Sequence, residues 1–285
     1  MELAHISDLH LPLERERLPG WGAFLNKRLF GWLNLQVKRR YPPEINQALA
    51  SDLRERPPDH LAVTGDLTNL SLACEFEAAA RWLAGLGLPP ERLTVIPGNH
   101  DAYVGAAVRE RLFERALGPL LGEADLAWPR VQRVGDLLLV SASSAVPSPW
   151  FVAWGRVGRE QLARLDQALA AEAAFKLLLV HHPPLQRDGR PDWLIRRNRD
   201  WKGLLELCWR RGVDLVLCGH THRGYRITAP GGPRIFCAGS ATDPPVRLGE
   251  RSTYNRYRFE GGRLVGIEVR AWDRAQRSFV TVHSE

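Results

Sequence analysis

Short apolar runs of strand length recur along the chain, and segments with apolar residues at helical spacing lie between them. Five runs are followed within three residues by Asp, Asn or His: residues 3–7, 61–64, 93–96, 175–180 and 213–218. Helical spacing occurs in residues 44–56, 71–86, 104–117, 158–174 and 203–211, with Ser71 as the candidate N-cap of the second helix. Strands that alternate with helices form α/β sheets, and such sheets bind ligands beyond the carboxyl ends of their strands. We therefore expect a functional site where the five runs end.

Beyond residue 223 the pattern changes to pairs of strands joined by glycine-containing turns. We predict strands over residues 225–228, 234–238, 254–259, 264–271 and 279–283, and an earlier hairpin over residues 131–134 and 137–142. Strands alternating with helices and then followed by hairpins predict an α/β fold, a four-layer αββα sandwich of two mixed sheets flanked by helices. No internal repeat or linker interrupts the chain, so a single domain over residues 1–285 is expected.

The polar residues beyond the five runs are of the types that bind metal ions. They are Asp8, His10, Asp66, Asn99, His181, His220 and His222. The spacing of two in Asp8-x-His10 and in His220-x-His222 places both side chains of a pair on one side of an extended backbone. Seven donors exceed the three protein ligands of a catalytic zinc ion and suit two ions that share a carboxylate. Mixed imidazole, carboxylate and amide donors favour Mn, Fe, Zn or Co over Ca or Mg.

The order of these motifs along the chain is that of a known family. The segments Asp8-x-His10, Gly65-Asp66, Gly98-Asn99-His100-Asp101, His181-x-Pro183 and Gly219-His220-Thr221-His222 resemble the motif set of the calcineurin-like metallophosphoesterases. The resemblance implies that Asp66 bridges two divalent metal ions. It implies further that one ion is completed by Asp8, His10 and His222, and the other by Asn99, His181 and His220. His100 resembles the general acid of the family, oriented by Asp101.

The function that this resemblance implies is the metal-dependent hydrolysis of phosphate esters. Two ions would lower the pKa of a shared bridging water and supply hydroxide near pH 7. Proton donation by His100 would contribute roughly 10²–10⁴-fold. The family branch with these motifs includes cyclic-nucleotide and glycerophosphodiester phosphodiesterases, so a phosphodiesterase or pyrophosphatase is expected. The alternatives are a hydrolase of a lipid-linked substrate such as UDP-diacylglucosamine, a nuclease, and a scaffold without catalysis, against which the complete ligand set argues.

Residues 11–41 form an insertion-like segment directly after the first two candidate ligands. Its apolar residues recur at helical spacing at Trp21, Leu25, Leu29 and Trp32, and Lys38-Arg39-Arg40 follows them. One hypothesis is a lid, or an amphipathic foot that rests on an anionic membrane through residues 21–40. The other is a helical hairpin packed on its own domain. A second basic segment, residues 187–201, interleaves arginine with tryptophan and either clamps phosphate or is a solvated loop.

Composition narrows the class of protein and its partners. Hydrophobic residues make up 45% of the chain and charged residues 25%, as in ordinary globular proteins. The net charge of +7 favours acidic partners: a phosphorylated small-molecule or lipid substrate, an anionic membrane or nucleic acid. The alternative explanation is that the charge simply reflects an arginine-rich composition. Four cysteines without a CxxC pair indicate reduced thiols. The sequence pattern indicates neither a signal peptide nor a membrane span. The expected location is therefore cytoplasmic, and any contact with a membrane is expected to be peripheral.

Four of the nine histidines lie outside the ligand and general-acid positions. His5, His60 and His283 fall inside or beside strand runs and are expected to have core or surface roles. His182 follows the candidate ligand His181 directly. It is expected to contact substrate, to support a neighbouring ligand, or to fill space.

Overall fold

Two six-stranded mixed sheets form the centre of the protein. The structure is a computed structural model that describes residues 1–37, 41–243 and 251–285. Its strands are β1 (Glu2–Ile6), β2 (His60–Val63), β3 (Leu93–Val95), β4 (Arg130–Val134), β5 (Leu137–Ser141), β6 (Phe175–Leu179), β7 (Leu215–Cys218), β8 (Tyr225–Thr228), β9 (Arg234–Cys237), β10 (Thr253–Glu260), β11 (Arg263–Asp273) and β12 (Ser278–Ser284). Every predicted strand is confirmed, with ends that differ by at most two residues.

The strand order places the carboxyl ends of the parallel strands of each sheet at one edge. The first sheet has the order β12-β11-β10-β1-β2-β3, in which β1, β2 and β3 are parallel. The second has the order β4-β5-β6-β7-β9-β8, in which β5, β6, β7 and β9 are parallel. The hairpin strands β10, β11 and β12 extend the first sheet as an antiparallel meander.

Helices lie outside the two sheets, and most of them pack on the outer faces. They are α1 (Arg28–Val37), α2 (Pro43–Glu55), α3 (Ala73–Ala84), α4 (Gly105–Arg109), α5 (Leu112–Leu117), α6 (Arg159–Ala168) and α7 (Trp201–Arg210), with short 3₁₀ turns at Arg15–Arg17, Trp21–Phe24, Pro90–Arg92 and Pro119–Leu121. Among the described residues, no helix is both long enough and apolar enough to cross a bilayer.

Three apolar cores separate the layers. Leu3 of β1 and Leu177 of β6 belong to the core between the two sheets. Phe76 of α3 packs in the core on the outer face of the first sheet. Leu165 of α6 and Leu204 of α7 pack in the core on the outer face of the second. The order helix, sheet, sheet, helix confirms the predicted four-layer αββα sandwich.

Most helix ends differ from the prediction by one or two residues, and three differences are larger or concern a cap. The helix predicted over residues 104–117 is two short helices, because Arg111 between them has the left-handed φ of 53°. The helix predicted over residues 158–174 ends at Ala168. Ser71 is not the N-cap of α3; Leu72 holds that position, and the Glu75 carboxylate accepts the Leu72 N–H at 2.9 Å.

The insertion-like segment is not the continuous helix that its spacing suggests. A 3₁₀ turn over Trp21–Phe24 and a further turn precede α1, and the rings of Trp21 and Trp32 lie 5.8 Å apart. The buried Arg28 guanidinium joins the segment to the domain, because it donates to the carbonyls of Leu70 at 2.9 Å and Ser71 at 2.7 Å. The predicted basic run of residues 38–40 lies outside the described residues.

Candidate metal centre

The seven candidate ligands converge where five parallel strands end. The donor atoms of Asp8, His10, Asp66 and His222 lie within 4.8 Å of one another. Beside them, the Asn99 Oδ1 atom lies 2.8 Å from His220 Nδ1 and 3.2 Å from His181 Nε2. Apart from His222, all these residues are buried. The structure therefore brings together every residue that the sequence placed in the site.

Asp66 lies between the two groups. Its Oδ2 atom is 3.8 Å from His10 Nε2 in the first group and 3.4 Å from His181 Nε2 in the second. Its Oδ1 atom accepts the backbone N–H of His100 at 2.7 Å, which fixes the plane of the carboxylate. One carboxylate oxygen thus faces imidazoles of both groups at once.

A left-handed backbone brings the donors together. Among the described residues, nine non-glycine residues have positive φ, and five of these belong to the site: Asp8, His10, Asp66, His220 and His222. Such conformations cost about 1–3 kcal/mol each and persist only where the surrounding structure enforces them. The expectation that each His or Asp pair with a spacing of two lies on an extended strand is therefore wrong. Both pairs converge through sharp turns that follow the strands.

Two glycines allow these turns to approach one another. A Cβ atom on Gly98 would lie 2.2 Å from the Asp66 Oδ1 atom, and one on Gly219 would lie 1.8 Å from Ser7 Oγ. No side chain fits at such distances. The glycines of the two motifs are therefore required because the metal-binding loops pack directly on each other.

Hydrogen bonds orient three of the imidazoles towards the centre. Carbonyl oxygens only accept, so His10 Nδ1–H donates to Thr68 O at 3.1 Å and His181 Nδ1–H to Thr64 O at 2.6 Å. His222 Nδ1 lies 2.8 Å from the Asp243 carboxylate. Each contact leaves the Nε2 atom to face the other donors, the arrangement that metal-binding histidines use. Sequence reasoning missed Asp243, which lies outside every motif.

The electrostatics of the centre show mutually dependent charges. Burial alone would raise the pKa of Asp66, but the neighbouring imidazoles, led by His181, lower that pKa well below its usual value. Burial opposes protonation of His181, yet Asp66 and Asp8 raise the pKa of His181 to about 10. Burial and the nearby His182 and His181 lower the pKa of His220 well below its usual value. A cation in this centre would replace the proton that His181 otherwise holds.

Two buried atoms of the centre make no hydrogen bond to any described residue. They are Asp8 Oδ1 and His220 Nε2. The nearest described contact of Asp8 Oδ1 is His222 Nε2 at 3.4 Å. A buried polar atom that makes no hydrogen bond is costly unless it binds something else. Together with the mixture of carboxylate, imidazole and amide donors, these atoms fit a divalent cation of the Mn, Fe or Zn type.

The His100 ring is oriented by a backbone carbonyl. His100 Nδ1–H donates to Asn69 O at 2.7 Å, and the ring stacks on Tyr103 with centroids 5.3 Å apart. Asp101 accepts instead from the backbone N–H groups of Gly98, Leu67 and Thr68 and from the Thr68 hydroxyl. The described contacts of Asp101 include none with the His100 ring, so a role of Asp101 in orienting His100 would act through the loop backbone and stays a prediction. Burial, with the nearby charge of Asp66, raises the pKa of Asp101 to about 7.

His182 supports the centre from behind. Its Nε2–H donates to Ala153 O at 3.2 Å, and its Nδ1 lies 2.8 Å from Ser144 Oγ. Both ring nitrogens therefore have protein partners, although the ring lies close to His181 and His220. Its centroid is 4.4 Å from that of His220, and a Cβ atom on Gly155 would overlap the ring. Of the roles expected for His182, the support of a neighbouring ligand fits these contacts.

The other three histidines lie away from the donors, as expected. His5 and His60 are buried in the first sheet, where His5 contacts Thr64 Oγ1 at 2.9 Å and His60 contacts Thr94 Oγ1 at 2.8 Å. His283 is exposed at the end of β12.

A cavity of about 910 Å³ opens over the donors. Asp66, Asn99, His100, His220, His222 and Asp243 line its base, and Lys27, Phe30, Leu33, Trp150, Phe151, Ile195 and Arg196 are among the residues of its walls. The Lys27 ammonium donates to Ser148 Oγ at 3.0 Å and to the carbonyl of Val152 at 3.3 Å. Burial lowers the pKa of Lys27 to about 8. The insertion-like segment thus forms one wall of the cavity.

A four-layer αββα sandwich with a carboxylate- and imidazole-rich centre at its strand ends is typical of metal-dependent phosphoesterases. Residues 1–224 match the family model of the calcineurin-like phosphoesterases, and the chain belongs to this family.

Two relatives in this family are named as phosphodiesterases. The chain is 29% identical over 179 residues to a probable cyclic nucleotide phosphodiesterase of Synechococcus sp., a match that covers 62% of this chain and 63% of that protein. It is also 29% identical over 226 residues to the glycerophosphodiester phosphodiesterase GpdQ of Enterobacter lignolyticus, covering 78% of this chain and 71% of the relative.

Solved structures share the fold at low identity. A purple acid phosphatase from yellow lupin, Lupinus luteus, superimposes with a TM-score of 0.62 and 12% identity over 99% of this chain and 52% of the lupin chain. A dimetal phosphatase from Danio rerio gives a TM-score of 0.60 and 14% identity over 99% of this chain and 98% of the other. These similarities confirm the architecture of the two sheets and their helices.

Proposed function

We propose that this protein is a metal-dependent phosphodiesterase that holds two divalent cations of the Mn, Fe or Zn type. The observation that carries the proposal is the position of the Asp66 carboxylate, between two groups of buried donors at the base of the cavity. A shared carboxylate balances two cations that lie close together, and mixed oxygen and nitrogen donors suit these metals.

The geometry supports a division of the ligands between two sites. Asp8, His10 and His222 would complete the first site with Asp66, because their donor atoms lie together. Asn99, His181 and His220 would complete the second. When bound, the two cations would supply positive charge for the phosphate and lower the pKa of water at the site.

Side chains of the protein, rather than the cations, would protonate the leaving group. His100 lines the cavity beside the donors, and the Asn69 carbonyl and the Tyr103 ring hold its imidazole in one orientation. An alkoxide is a poor leaving group until it is protonated, so the imidazolium form of His100 would donate its Nε2 proton to that oxygen and keep the Nδ1–H that the Asn69 carbonyl accepts. Asp101 has a positioning role: it joins the turn at Gly98 to the turn at Thr68 and thereby fixes the backbone around His100.

The size and lining of the cavity favour a diester over a monoester. A diester places one organic group on each side of the phosphate, and the volume of about 910 Å³ accommodates both. Phe30, Trp150 and Phe151 offer apolar contacts for one such group, whereas Lys27 and Arg196 offer positive charge. The names of the two relatives support the same preference. We propose further that the 285 residues form one domain, and that the insertion-like segment contributes a wall of its active site through residues 27–34.

The test is a comparison of phosphorus esters after metal exchange. The protein is treated with a chelator, reloaded separately with Mn²⁺, Fe²⁺ or Zn²⁺, and assayed on bis-aryl phosphate, mono-aryl phosphate, a cyclic nucleotide, a glycerophosphodiester and a dinucleoside pyrophosphate. We expect metal-dependent turnover with higher kcat/KM on diesters than on the monoester. Faster hydrolysis of the monoester would contradict the diester preference, and intact esters with every metal would contradict the proposed function.

A further inference from the structure

Among the described residues, seven large apolar side chains are exposed on the segments that line the mouth of the cavity. They come from three separate segments: Phe30 and Leu33 of α1, Trp150 and Phe151 of the loop before α6, and Trp193, Leu194 and Ile195 of the loop before α7. We call these seven residues the apolar rim. Their exposed fractions range from 45% for Leu33 to 82% for Trp193. Single exposed apolar residues are ordinary, but a contiguous group marks an interaction surface.

The rim is continuous because its segments contact one another. The Phe30 ring lies 5.1 Å from the Trp150 ring and 5.9 Å from the Phe151 ring. The Ala153 N–H donates to the carbonyl of Ile195 at 2.8 Å, which joins the second segment to the third. Leu194 and Ile195 also line a small cavity together with residues 149 and 152. One surface, rather than three scattered patches, therefore surrounds the entrance.

Positive charge accompanies the rim. Residues 187–199 contain five arginines and two aspartates, and four of the arginines are exposed. Asp192 offsets part of this charge, because its carboxylate lies 3.8 Å from the Arg196 guanidinium. The Arg199 guanidinium stacks over the Trp154 ring at 3.8 Å. Aromatic and aliphatic side chains beside arginines are typical of surfaces that enter the headgroup region of a bilayer.

We propose that the apolar rim docks on an anionic lipid bilayer, with the mouth of the cavity facing the membrane. Charge complementarity selects this partner over a second copy of the chain. Two copies that met through their rims would bring the arginine-rich loops together, and each carries a net charge of +7. Anionic headgroups instead pair with the arginines while the apolar side chains enter the acyl boundary. This orientation rests on the proposed function, because it turns the mouth of the proposed active site towards the bilayer.

The first measurement is co-sedimentation of the metal-loaded full chain with vesicles. Vesicles of phosphatidylcholine with phosphatidylglycerol are compared with vesicles of phosphatidylcholine alone, at low and high salt. We expect strong binding to the anionic vesicles, weak binding to the neutral ones, and weaker binding at high salt because the headgroup attraction is screened. Equal or absent binding to the two vesicle types would overturn the proposal.

A matched pair of variants identifies the surface. Trp193→Ser with Leu194→Ser alters the rim without altering a residue that lines the main cavity. Trp209→Ser removes a side chain of α7 that is 70% exposed, compared with 82% for Trp193 and 67% for Leu194. We expect the double variant to bind anionic vesicles about tenfold or more weakly, and the α7 variant to bind like the wild type. Equal loss in both variants, or no loss in either, would contradict docking through the rim.

Two further measurements, of phosphodiester hydrolysis and of self-association, distinguish failure of membrane docking from failure of the proposed function. Vesicle binding does not require turnover, so an inactive protein that binds would contradict only the proposed activity. We expect the double variant to hydrolyse soluble bis-aryl phosphate at the wild-type rate. Sedimentation equilibrium without vesicles is expected to show no self-association that the double variant abolishes. Rim-dependent dimers would instead assign the surface to a second copy and overturn the proposal.

Discussion

The His100 imidazole gains its orientation from neighbours that lie outside its own motif. The carbonyl of Asn69 accepts its Nδ1–H at 2.7 Å, and Tyr103 stacks on one face of the ring. Asp101, adjacent in sequence, hydrogen-bonds to backbone groups of the opposite loop instead. Adjacent residues on a turn point in different directions, so sequence proximity alone does not identify the partner of a side chain.

Replacement of His100 tests whether this single residue is the general acid. We expect His100→Asn to retain metal, because the candidate ligands keep their own contacts. Turnover of alkyl phosphodiesters should fall by roughly 10²–10⁴-fold, since their leaving groups need a proton. The aryl oxide of an activated aryl ester leaves without protonation, so turnover of such esters should fall much less. Metal content and a leaving-group series measure both effects, and equal losses on the two ester classes would argue against His100 as the acid.

Asp243 shows a limit of motif reasoning at the same scale. Its carboxylate lies 2.8 Å from His222 Nδ1, where it fixes the tautomer of a candidate ligand. No spacing or motif in the sequence distinguishes this aspartate from exposed ones. Such partners are chosen by the tertiary fold, which places residue 243 beside the turn at residue 222. The ligands themselves could be predicted because each directly follows a buried strand.

At the scale of the element, strands were predicted more accurately than helices. Residues of β6 and β7 are almost all buried, so each strand forms a continuous apolar run with a clear end. The helical pattern of residues 104–117 continues through Arg111, where the left-handed backbone interrupts the helix. Periodicity reports which side chains are apolar, but it does not report a local reversal of the backbone. The turns that carry the two closely spaced ligand pairs escaped prediction for the same reason.

Strand β2 contains a buried histidine that should make stability depend on pH. Burial, together with Arg130 and Arg92, lowers the pKa of His60 from 6.5 to about 4. Between these values the unfolded chain binds a proton that the folded chain does not, so the free energy of unfolding falls as the pH decreases through this window. At about 1.4 kcal/mol per pKa unit, the loss would approach about 3 kcal/mol near pH 4.

Denaturant unfolding at a series of pH values checks this expectation. We expect His60→Gln to show a shallower fall in unfolding free energy between pH 6.5 and 4 than the wild type. His283→Gln serves as the control, because it makes the same substitution at a histidine that is exposed at the end of β12. A profile of His60→Gln that parallels the wild type throughout this window would show that another group titrates there.

At the scale of the whole molecule, the candidate metal centre joins the two sheets. Asp8, Asp66 and Asn99 follow strands of the first sheet, whereas His181 and His220 follow strands of the second. The sequence predicted this sandwich because each half carries its own apolar runs and motif loops. It could not predict the apolar rim, since Trp150, Trp193 and Phe30 come from segments without regular periodicity between them. Only the folded chain brings these segments to one entrance.

The shared carboxylate is the feature on which the account depends, and metal stoichiometry tests it most directly. Three proteins are compared: the wild type, Asp66→Asn, and the control Asp136→Asn, whose aspartate lies exposed in a turn. Each is stripped of metal, reloaded with Mn²⁺ and dialysed. The bound metal per chain is then measured by mass spectrometry. We expect about two ions per chain in the wild type and the control. Asp66→Asn should retain clearly fewer ions and lose phosphodiester hydrolysis. A folded Asp66→Asn protein that keeps the wild-type metal content and turnover would contradict the account.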